Sequence, residues 1–321
     1  MGAAFSNFKQ TVWPALQQGF PPKSRFSVDD IPDLTGRVVI VTGGNVGIGY
    51  ETVKALLQHD AKVYLAARSK EKAEKAIASL KEATGKEAIF LELDLGSLSS
   101  VKKSADEFLS QETELHILFN NAGVMWPPLD QLTKDGYDLQ WGTNVVGHYY
   151  FTELLIPALL AGVKSSPDQH VRVITTSSSG AYFDTLHWET FKDTPERKKQ
   201  SKQTLYFQSK HGNVVVAREV AKRYGEKGVI SVSLNPGNIR TDLQRYVPSF
   251  GRKLLNLSLY PAPYGALTQL YAGTMPEALK HNGEFFIPWA RVGKCRPEAY
   301  DDEIGEKLWK WLEDEVKAHQ T

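Results

Sequence analysis

Tyr206 and Lys210 stand four residues apart in the run Tyr206-Phe207-Gln208-Ser209-Lys210. On a helix, positions i and i+4 share a face, so the phenol and the ammonium point the same way. A free tyrosine titrates near ~10, too high for efficient proton exchange around neutrality. A nearby cation stabilises the phenolate and lowers that value, which gives the pair a use in general acid/base chemistry. Taken alone, the same spacing also describes an ordinary surface pair. Upstream, the β-branched stretch Val171–Thr176 runs into Ser177-Ser178-Ser179-Gly180 and adds hydroxyls to the set.

The elements that must position these groups begin with Arg37 to Leu57, RVVIVTGGNVGIGYETVKALL. Val38–Thr42 is a buried-strand run, too short for a helix. Gly43, Gly44, Gly47 and Gly49 follow, and from Tyr50 the pattern turns helical, with Val53, Leu56 and Leu57 on one face. A strand, a glycine-rich turn and a helix form the first half of a βαβ nucleotide-binding unit. The glycines let the backbone approach a pyrophosphate, and the helix N terminus offers it unpaired N–H groups. Gly43, Asn45, Gly47, Ile48 and Gly49 are the candidate cofactor-binding residues here. The spacing is neither G-x-G-x-x-G nor a P-loop, and a purely structural turn is the other reading.

Lys62–Ala67 reads as the second strand, with Arg68 at its end. A carboxylate at that place binds the 2′-hydroxyl of NAD, whereas an arginine accommodates the 2′-phosphate of NADP. Ala67 occupies the acidic position, so Arg68 favours NADP(H); the alternative is a solvated arginine at a strand end. Ser69–Ala83 reads as a charged surface helix. Ala88–Leu93 is a third strand, and Asp94 after it either meets the adenine amino group or caps the helix beginning near Ser97. Leu115–Phe119 is a fourth strand, leading into Asn120-Asn121-Ala122-Gly123.

T-G-x-x-x-G-x-G, N-N-A-G, a serine-ended strand and Y-x-x-x-K occur in this order. On these motifs the chain resembles the classical short-chain dehydrogenase/reductase family, and within it is similar to retinol-dehydrogenase-like and fungal members. The resemblance implies an α/β fold: a single doubly wound Rossmann domain, with a seven-stranded parallel sheet and helices on both faces. It implies an NADP(H)-dependent oxidoreductase acting on CH–OH groups, interconverting a hydrophobic alcohol and its carbonyl. Tyr206 would be the general acid/base, helped by Lys210 and by the positive nicotinamide ring of the oxidised cofactor. Ser178 would position the substrate oxygen, with Ser177 the alternative. Asn144 would hold a water in a proton relay, and Lys210 would also grip the nicotinamide ribose.

Asn121, Ala122 and Gly123 would sit beside the cofactor. After the sixth strand, Val229–Leu234, the run Asn235 to Thr241 matches the family's P-G-x-x-x-T turn, which brings Pro236, Gly237, Ile239 and Thr241 to the nicotinamide carboxamide. One departure is the interval of 27 residues between Ser178 and Tyr206, longer than the family usually has. Retinol-dehydrogenase-like members carry a comparable insertion.

The remaining chain predicts a long helix over Asp138–Leu160, a last strand over Gly283–Ile287 and a closing amphipathic helix over Asp302–Val316. Two segments, 180–204 and 241–262, carry the apolar and aromatic residues of a lid over a hydrophobic substrate; packing on the domain or against a second subunit is the equal alternative. The basic run Arg197, Lys198, Lys199 and Lys202 reads as solvated loop. Residues 1–35 form an extension before a domain spanning 36–321. Met1-Gly2-Ala3-Ala4-Phe5-Ser6 fits a myristoylation pattern. Phe8, Val12, Trp13, Leu16 and Phe20 follow at helical spacing, either as a helix at a membrane surface through residues 1–20 or as a helix packed on the domain.

Composition narrows the function classes. With 321 residues, 41% of them hydrophobic, the chain can bury a full core. Its 38 basic and 37 acidic residues leave a net charge of +1 and no electrostatic ground for a nucleic-acid partner. One cysteine excludes an internal disulfide, and the eight histidines form no metal-ligand array. No apolar run approaches the ~20 residues of a membrane span, so the expected location is cytoplasmic, with attachment to a membrane surface or lipid droplet as a variant. Helical faces in 98–110 and 206–225 could pair subunits as a homodimer. An NADP-binding regulatory or scaffold protein is the competing functional class.

Overall fold

The computed structural model describes residues 13–240 and 259–319. A short helix α1, Trp13–Gly19, precedes the sheet. The β-branched runs then form strands that alternate with helices: β1 Val38–Thr42, α2 Gly47–Gln58, β2 Lys62–Ala67, α3 Lys70–Thr84, β3 Ile89–Glu92, α4 Leu98–Gln111 and β4 Ile117–Asn120. The second half holds α5 Leu139–Ser165, β5 Val171–Thr176, α6 Lys202–Tyr224, β6 Val229–Leu234, α7 Ala262–Thr274, β7 Phe285–Ile287, β8 Arg291–Gly293 and α8 Asp302–Val316.

The strands lie in the order β3-β2-β1-β4-β5-β6-β7-β8. The first seven are parallel, so both faces must be covered, and their side chains are almost uniformly apolar. One core, under α4, α5, α6 and α8, holds Phe108, Trp141, Tyr149, Phe151 and Trp309. The other, under α2, α3 and α7, holds Leu56, Leu65, Leu80, Phe119 and Leu270. The strand order reverses between β1 and β4, and ligands of such sheets bind at that crevice, beyond the carboxyl ends of the strands.

Three sequence expectations change here. Among the described residues the sheet has eight strands, not seven: β8 returns antiparallel to β7, pairing Phe286 with Val292. Three residues without alternation give no periodic signal, which is why β8 escapes the sequence reading. The helix expected over Asp138–Leu160 runs to Ser165 and contains a wide π turn at Gly142–Val146. Asp138 stands outside it as the cap, its Oδ1 accepting the N–H groups of Gln140 and Trp141 at 2.9 and 3.0 Å. Over 27 residues α5 is long and apolar enough to cross a membrane, yet 72% of its apolar window is buried inside the domain, which makes it a core helix.

The third change concerns the segment between Ser178 and Tyr206. Arg197 is 1% exposed rather than solvated. Its Nε donates to Asp138 Oδ2 at 3.0 Å, and its guanidinium also donates to the carbonyls of Leu129 and Gln131. Phe191 stacks on Trp141 at 3.7 Å between ring centroids and meets Trp311 at 4.9 Å. The long interval is therefore anchored on α5 and α8 by aromatic burial and a cap-linked ion pair.

The extension also joins the domain. Phe26, Ile31 and Leu34 are buried in the α2–α3 core, and Gln18 and Gly19 of α1 are buried as well, while Trp13, Leu16 and Phe20 are exposed. The Gly2 pattern, Phe8 and Val12 lie outside the described residues, as does the 241–258 part of the second lid segment.

Substituting Arg197→Met removes one partner of a buried pair and strands the Asp138 carboxylate. The expected loss of stability is about 3–5 kcal/mol, read as a fall in the denaturant midpoint at unchanged m-value. A loss within ~0.5 kcal/mol, the range of ordinary surface substitutions, would show that Arg197 is not the anchor.

Candidate active site

The glycine turn after β1 is built for close approach. Gly43 and Gly47 adopt φ of +67° and +55°, which only glycine reaches without strain. A Cβ on Gly49 would stand 2.3 Å from the Gly43 carbonyl oxygen, so α2 can start there only without a side chain. No side chain caps α2, and its first turn holds no acid. Its first N–H groups thus open on a cleft of about 450 Å³ lined by Gly43, Asn45, Gly47, Ile48 and Gly49. This is the electrostatic character of an anion site.

Arg68 lines the same cleft from the end of β2, exposed and without an ion-pair partner among the described residues. Asp94 lines it too, its Oδ1 accepting the Gly96 N–H at 3.1 Å. Asp94 does not cap α4. The Leu98 N–H is taken by Asp135 Oδ2 at 2.9 Å instead.

Thr42, at the end of β1, ties the crevice together. Its Oγ1 accepts the N–H groups of Asn121 and Ala122 at 2.9 and 3.0 Å and lies 2.9 Å from His148 Nε2. His148 Nδ1 faces the main-chain carbonyl of Asn144 at 3.1 Å, so Nδ1 carries the proton and Nε2 accepts from Thr42. Burial holds this imidazole neutral, pushing its pKa down to about 3. Asn121 adds a bond from Nδ2 to the Thr42 carbonyl at 2.8 Å. The N-N-A-G turn is thereby fixed to β1 and α5, with Asn121, Ala122 and Gly123 facing the cleft.

At the other end of the cleft α6 presents Tyr206 and Lys210, 5% and 3% exposed. Lys210 Nζ donates to the Thr176 carbonyl at 2.9 Å and lies 5.9 Å from the Tyr206 ring centroid. Burial pushes the lysine down to about 7 and the phenol up to about 12; hydrogen bonding with Ser178 lowers the phenol only in part. The lowered Tyr206 pKa expected from the sequence includes the positive nicotinamide ring of the oxidised cofactor. Among the protein's own groups, desolvation of the phenolate outweighs the hydrogen bond with Ser178 and keeps the phenol protonated.

The serines separate cleanly. Ser177 is buried and its Oγ donates to the Lys210 main-chain carbonyl at 2.6 Å. Ser178 Oγ accepts the Gly180 N–H at 3.0 Å and lines the cleft, which leaves its own hydrogen to donate toward a ligand. Gly180 is packed tightly beside this pair: a Cβ there would lie 2.9 Å from Phe207 Cδ1, closer than real contacts allow, and in ordinary contact at 3.4 Å with Ser178 Oγ and Tyr206 Cε1.

Asn144 sits in the π turn, fully buried. Its Oδ1 accepts the Val124 N–H at 2.8 Å, and its Nδ2 donates to the Val124 carbonyl and to Ser209 Oγ at 3.1 and 3.0 Å. The side chain therefore laces the β4 turn to α5 and α6. Beyond β6, Pro236, Gly237 and Ile239 line the cleft, with Gly237 at φ +88° against the Trp289 ring. Thr241 lies outside the described residues.

Sequence reasoning missed Val124, Met125, Trp126 and Phe207, all of which line the cleft. Their signal was adjacency: three follow N-N-A-G directly, and Phe207 follows Tyr206. Trp126 adopts φ +56°, rare for a bulky residue, with its N–H held by Gln140 Oε1 at 2.9 Å. Of the first lid segment, Gly180 and Phe183 reach the cleft, while Tyr182 and Phe191 are buried elsewhere. Among the described residues, no cluster of three or more His, Cys, Asp or Glu could hold a metal.

A family model described as short chain dehydrogenase matches residues 37–191. A short-chain dehydrogenase/reductase of Armillaria gallica is 63% identical over 308 residues, covering 96% of this chain and 99% of the relative. Another, of Phomopsis amygdali, is 38% identical over 337 residues, covering 99% and 100%. Among solved structures, an uncharacterized protein of Mycobacterium paratuberculosis shares the fold with a TM-score of 0.71 at 28% identity, covering 92% of this chain and 98% of that one. The chain belongs to the short-chain dehydrogenase/reductase family, a family of NAD(P)-dependent oxidoreductases.

Proposed function

We propose that the protein is an NADP(H)-dependent oxidoreductase that interconverts a hydrophobic alcohol and its aldehyde or ketone. One observation carries the reading: a single cleft has an uncapped helix N terminus and a guanidinium without an ion-pair partner among the described residues at one end, and a buried Tyr and Lys with a half-buried Ser at the other. The first end suits a diphosphate and a 2′-phosphate. The second suits proton transfer to an oxygen.

The turn from Gly43 to Gly49 would hold the diphosphate, Arg68 the 2′-phosphate and Asp94 the adenine. Asn121 to Gly123, Lys210, Pro236, Gly237, Ile239 and Thr241 would meet the nicotinamide half. Bound NADPH supplies the hydride that reduces the carbonyl carbon. Tyr206 gives its phenolic proton to the carbonyl oxygen, and Ser178 donates a hydrogen bond to that oxygen and orients it. Lys210 then faces the phenolate left on Tyr206 and stabilises it until a proton returns. For a relay through Asn144 the side-chain amide is already taken by protein partners, so the remaining lone pair of its main-chain carbonyl is the group left to hold a water. Val124, Met125, Trp126, Phe183, Phe207 and Leu259 give the substrate end an apolar lining, which supports a hydrophobic substrate.

Tyr206→Phe is expected to lower kcat about 10²–10⁴-fold while leaving NADPH binding intact, measured by cofactor fluorescence beside turnover on a panel of hydrophobic carbonyls. Equal activity in the variant would sink the assignment. Binding without turnover by the wild type in either direction would shift weight to a regulatory, non-catalytic protein.

The phenol at about 12 sets a pH dependence. Carbonyl reduction needs the protonated phenol and should run at neutral pH. Alcohol oxidation needs the phenolate and should climb as pH rises. An oxidation rate flat from pH 6 to 9 would contradict this.

Arg68→Asp should swap the preference at the ribose. The ratio of NADP to NAD affinity is expected to fall roughly 10- to 100-fold, the worth of a charge-assisted contact, in a binding titration of both cofactors. An unchanged ratio would remove Arg68 from the cofactor site.

A further inference from the structure

Gln18 is the most deeply engaged residue of the extension, 3% exposed although its chain neighbours Leu16 and Phe20 are open to solvent. Its Nε2 donates to the hydroxyl of Tyr182 at 3.0 Å, and its Oε1 accepts from Asn235 Nδ2 at 2.8 Å. These partners are 164 and 217 residues away along the chain. Tyr182 ends the 3-10 turn Ser179–Tyr182 that begins directly after Ser178. Asn235 opens the turn that continues into Pro236 and Gly237. One side chain of the extension thus bridges the two loops that flank the substrate end of the cleft. Gly19 lies against the second loop as well, since a Cβ there would stand 3.2 Å from Asn238 Nδ2.

The network has a fixed direction. The Gly237 N–H donates to Asn235 Oδ1 at 3.0 Å, which orients the Asn235 amide so that Nδ2 must face Gln18. Gln18 then presents its oxygen to Asn235 and its NH₂ to Tyr182. The Tyr182 hydroxyl accepts that bond and passes its own hydrogen to the main-chain carbonyl of Lys294. The chain of bonds runs from a backbone donor to a backbone acceptor without an unsatisfied member. A residue at 18 must accept on one side and donate on the other, and must reach both, which glutamine does and glutamate does not. Such a complete buried network holds its members in one geometry.

We propose that Gln18 is a positioning residue for the reaction: the extension is a clasp that fixes the Ser178 loop relative to the Asn235–Asn238 loop. This rests on the oxidoreductase reading above. Gln18 touches neither end of the chemistry itself. It acts through Tyr182 and Asn235 on the spacing between Ser178 and the residues facing the nicotinamide half. The adenosine half is held elsewhere, at the glycine turn and Arg68, and does not depend on the clasp.

Gln18→Met keeps most of the volume and removes both hydrogen bonds. Two readouts decide the matter in the full-length chain. Hydrogen–deuterium exchange should quicken in peptides covering 178–183 and 235–240. In parallel kcat should fall on the order of 10- to 100-fold, the effect of a small misplacement of reacting groups, while the NADPH Kd stays within about twofold. A merely structural role would lower stability without this split between kcat and cofactor affinity. Tyr182→Phe, which removes the acceptor of the Gln18 amide and keeps the ring, should show the same pattern in milder form and serves if Gln18→Met does not fold. Unchanged exchange in both loops, or quickened exchange with unchanged kcat, overturns the proposal. A wild-type chain that turns over no carbonyl counts against the oxidoreductase reading, while the exchange measurement still decides whether the clasp exists.

Discussion

The hydroxyl of Thr42 is the point on which the two halves of the sheet close. It sits where β1 and β4 diverge, is fully buried, and collects two backbone N–H groups from the N-N-A-G turn while bonding the neutral imidazole of His148. Through His148 it reaches the main-chain carbonyl of Asn144, and through the Asn144 amide the order continues to Val124 and Ser209. The cleft floor, the π turn of α5 and α6, the helix that carries Tyr206 and Lys210, are thus one hydrogen-bonded unit. Loss of any member leaves a buried polar group unpaired, at about 1–3 kcal/mol each, so the floor cannot loosen piecemeal.

Around that floor the site divides electrostatically. Among the described residues, one end keeps donors and a cation unpaired, open to an anion. The other withdraws its titratable groups from water so far that lysine falls to about 7 and tyrosine rises to about 12. Burial keeps the phenol in its neutral form at neutral pH but makes it a weaker acid than a free tyrosine. Giving up that proton in the proposed reduction therefore depends on what stabilises the phenolate, the Lys210 ammonium first among the protein's own groups.

Much of this was legible in the sequence where a residue type answers a local demand. Val38–Thr42, Lys62–Ala67, Val171–Thr176, Val229–Leu234 and Asp302–Val316 read with the observed bounds, because short, mostly apolar runs and a strong amphipathic period leave little choice. The glycine turn was legible because only glycine fits where Gly49 meets the Gly43 carbonyl. What stayed hidden depends on distant partners. Arg197 looked like one more cation in a basic run until Asp138, 59 residues away, supplied its counter-charge. Strand β8 exists only because β7 offers it an edge. The upward shift of Tyr206 could not be read from Y-x-x-x-K, since spacing reports the neighbouring charge and says nothing of desolvation. Gln18 gave no sequence signal at all; its partners lie 164 and 217 residues away along the chain.

The central claim is hydride and proton delivery to a carbonyl in this cleft, and isotope tracing tests it most directly. The purified protein would be run with NADPH carrying deuterium at the transferable position and a hydrophobic ketone, and the product alcohol analysed by mass spectrometry. One deuterium on the carbinol carbon from labelled NADPH, and none on carbon when only the solvent is deuterated, is the result expected. Solvent deuterium on that carbon, or NADPH consumed without a labelled alcohol, would contradict the account.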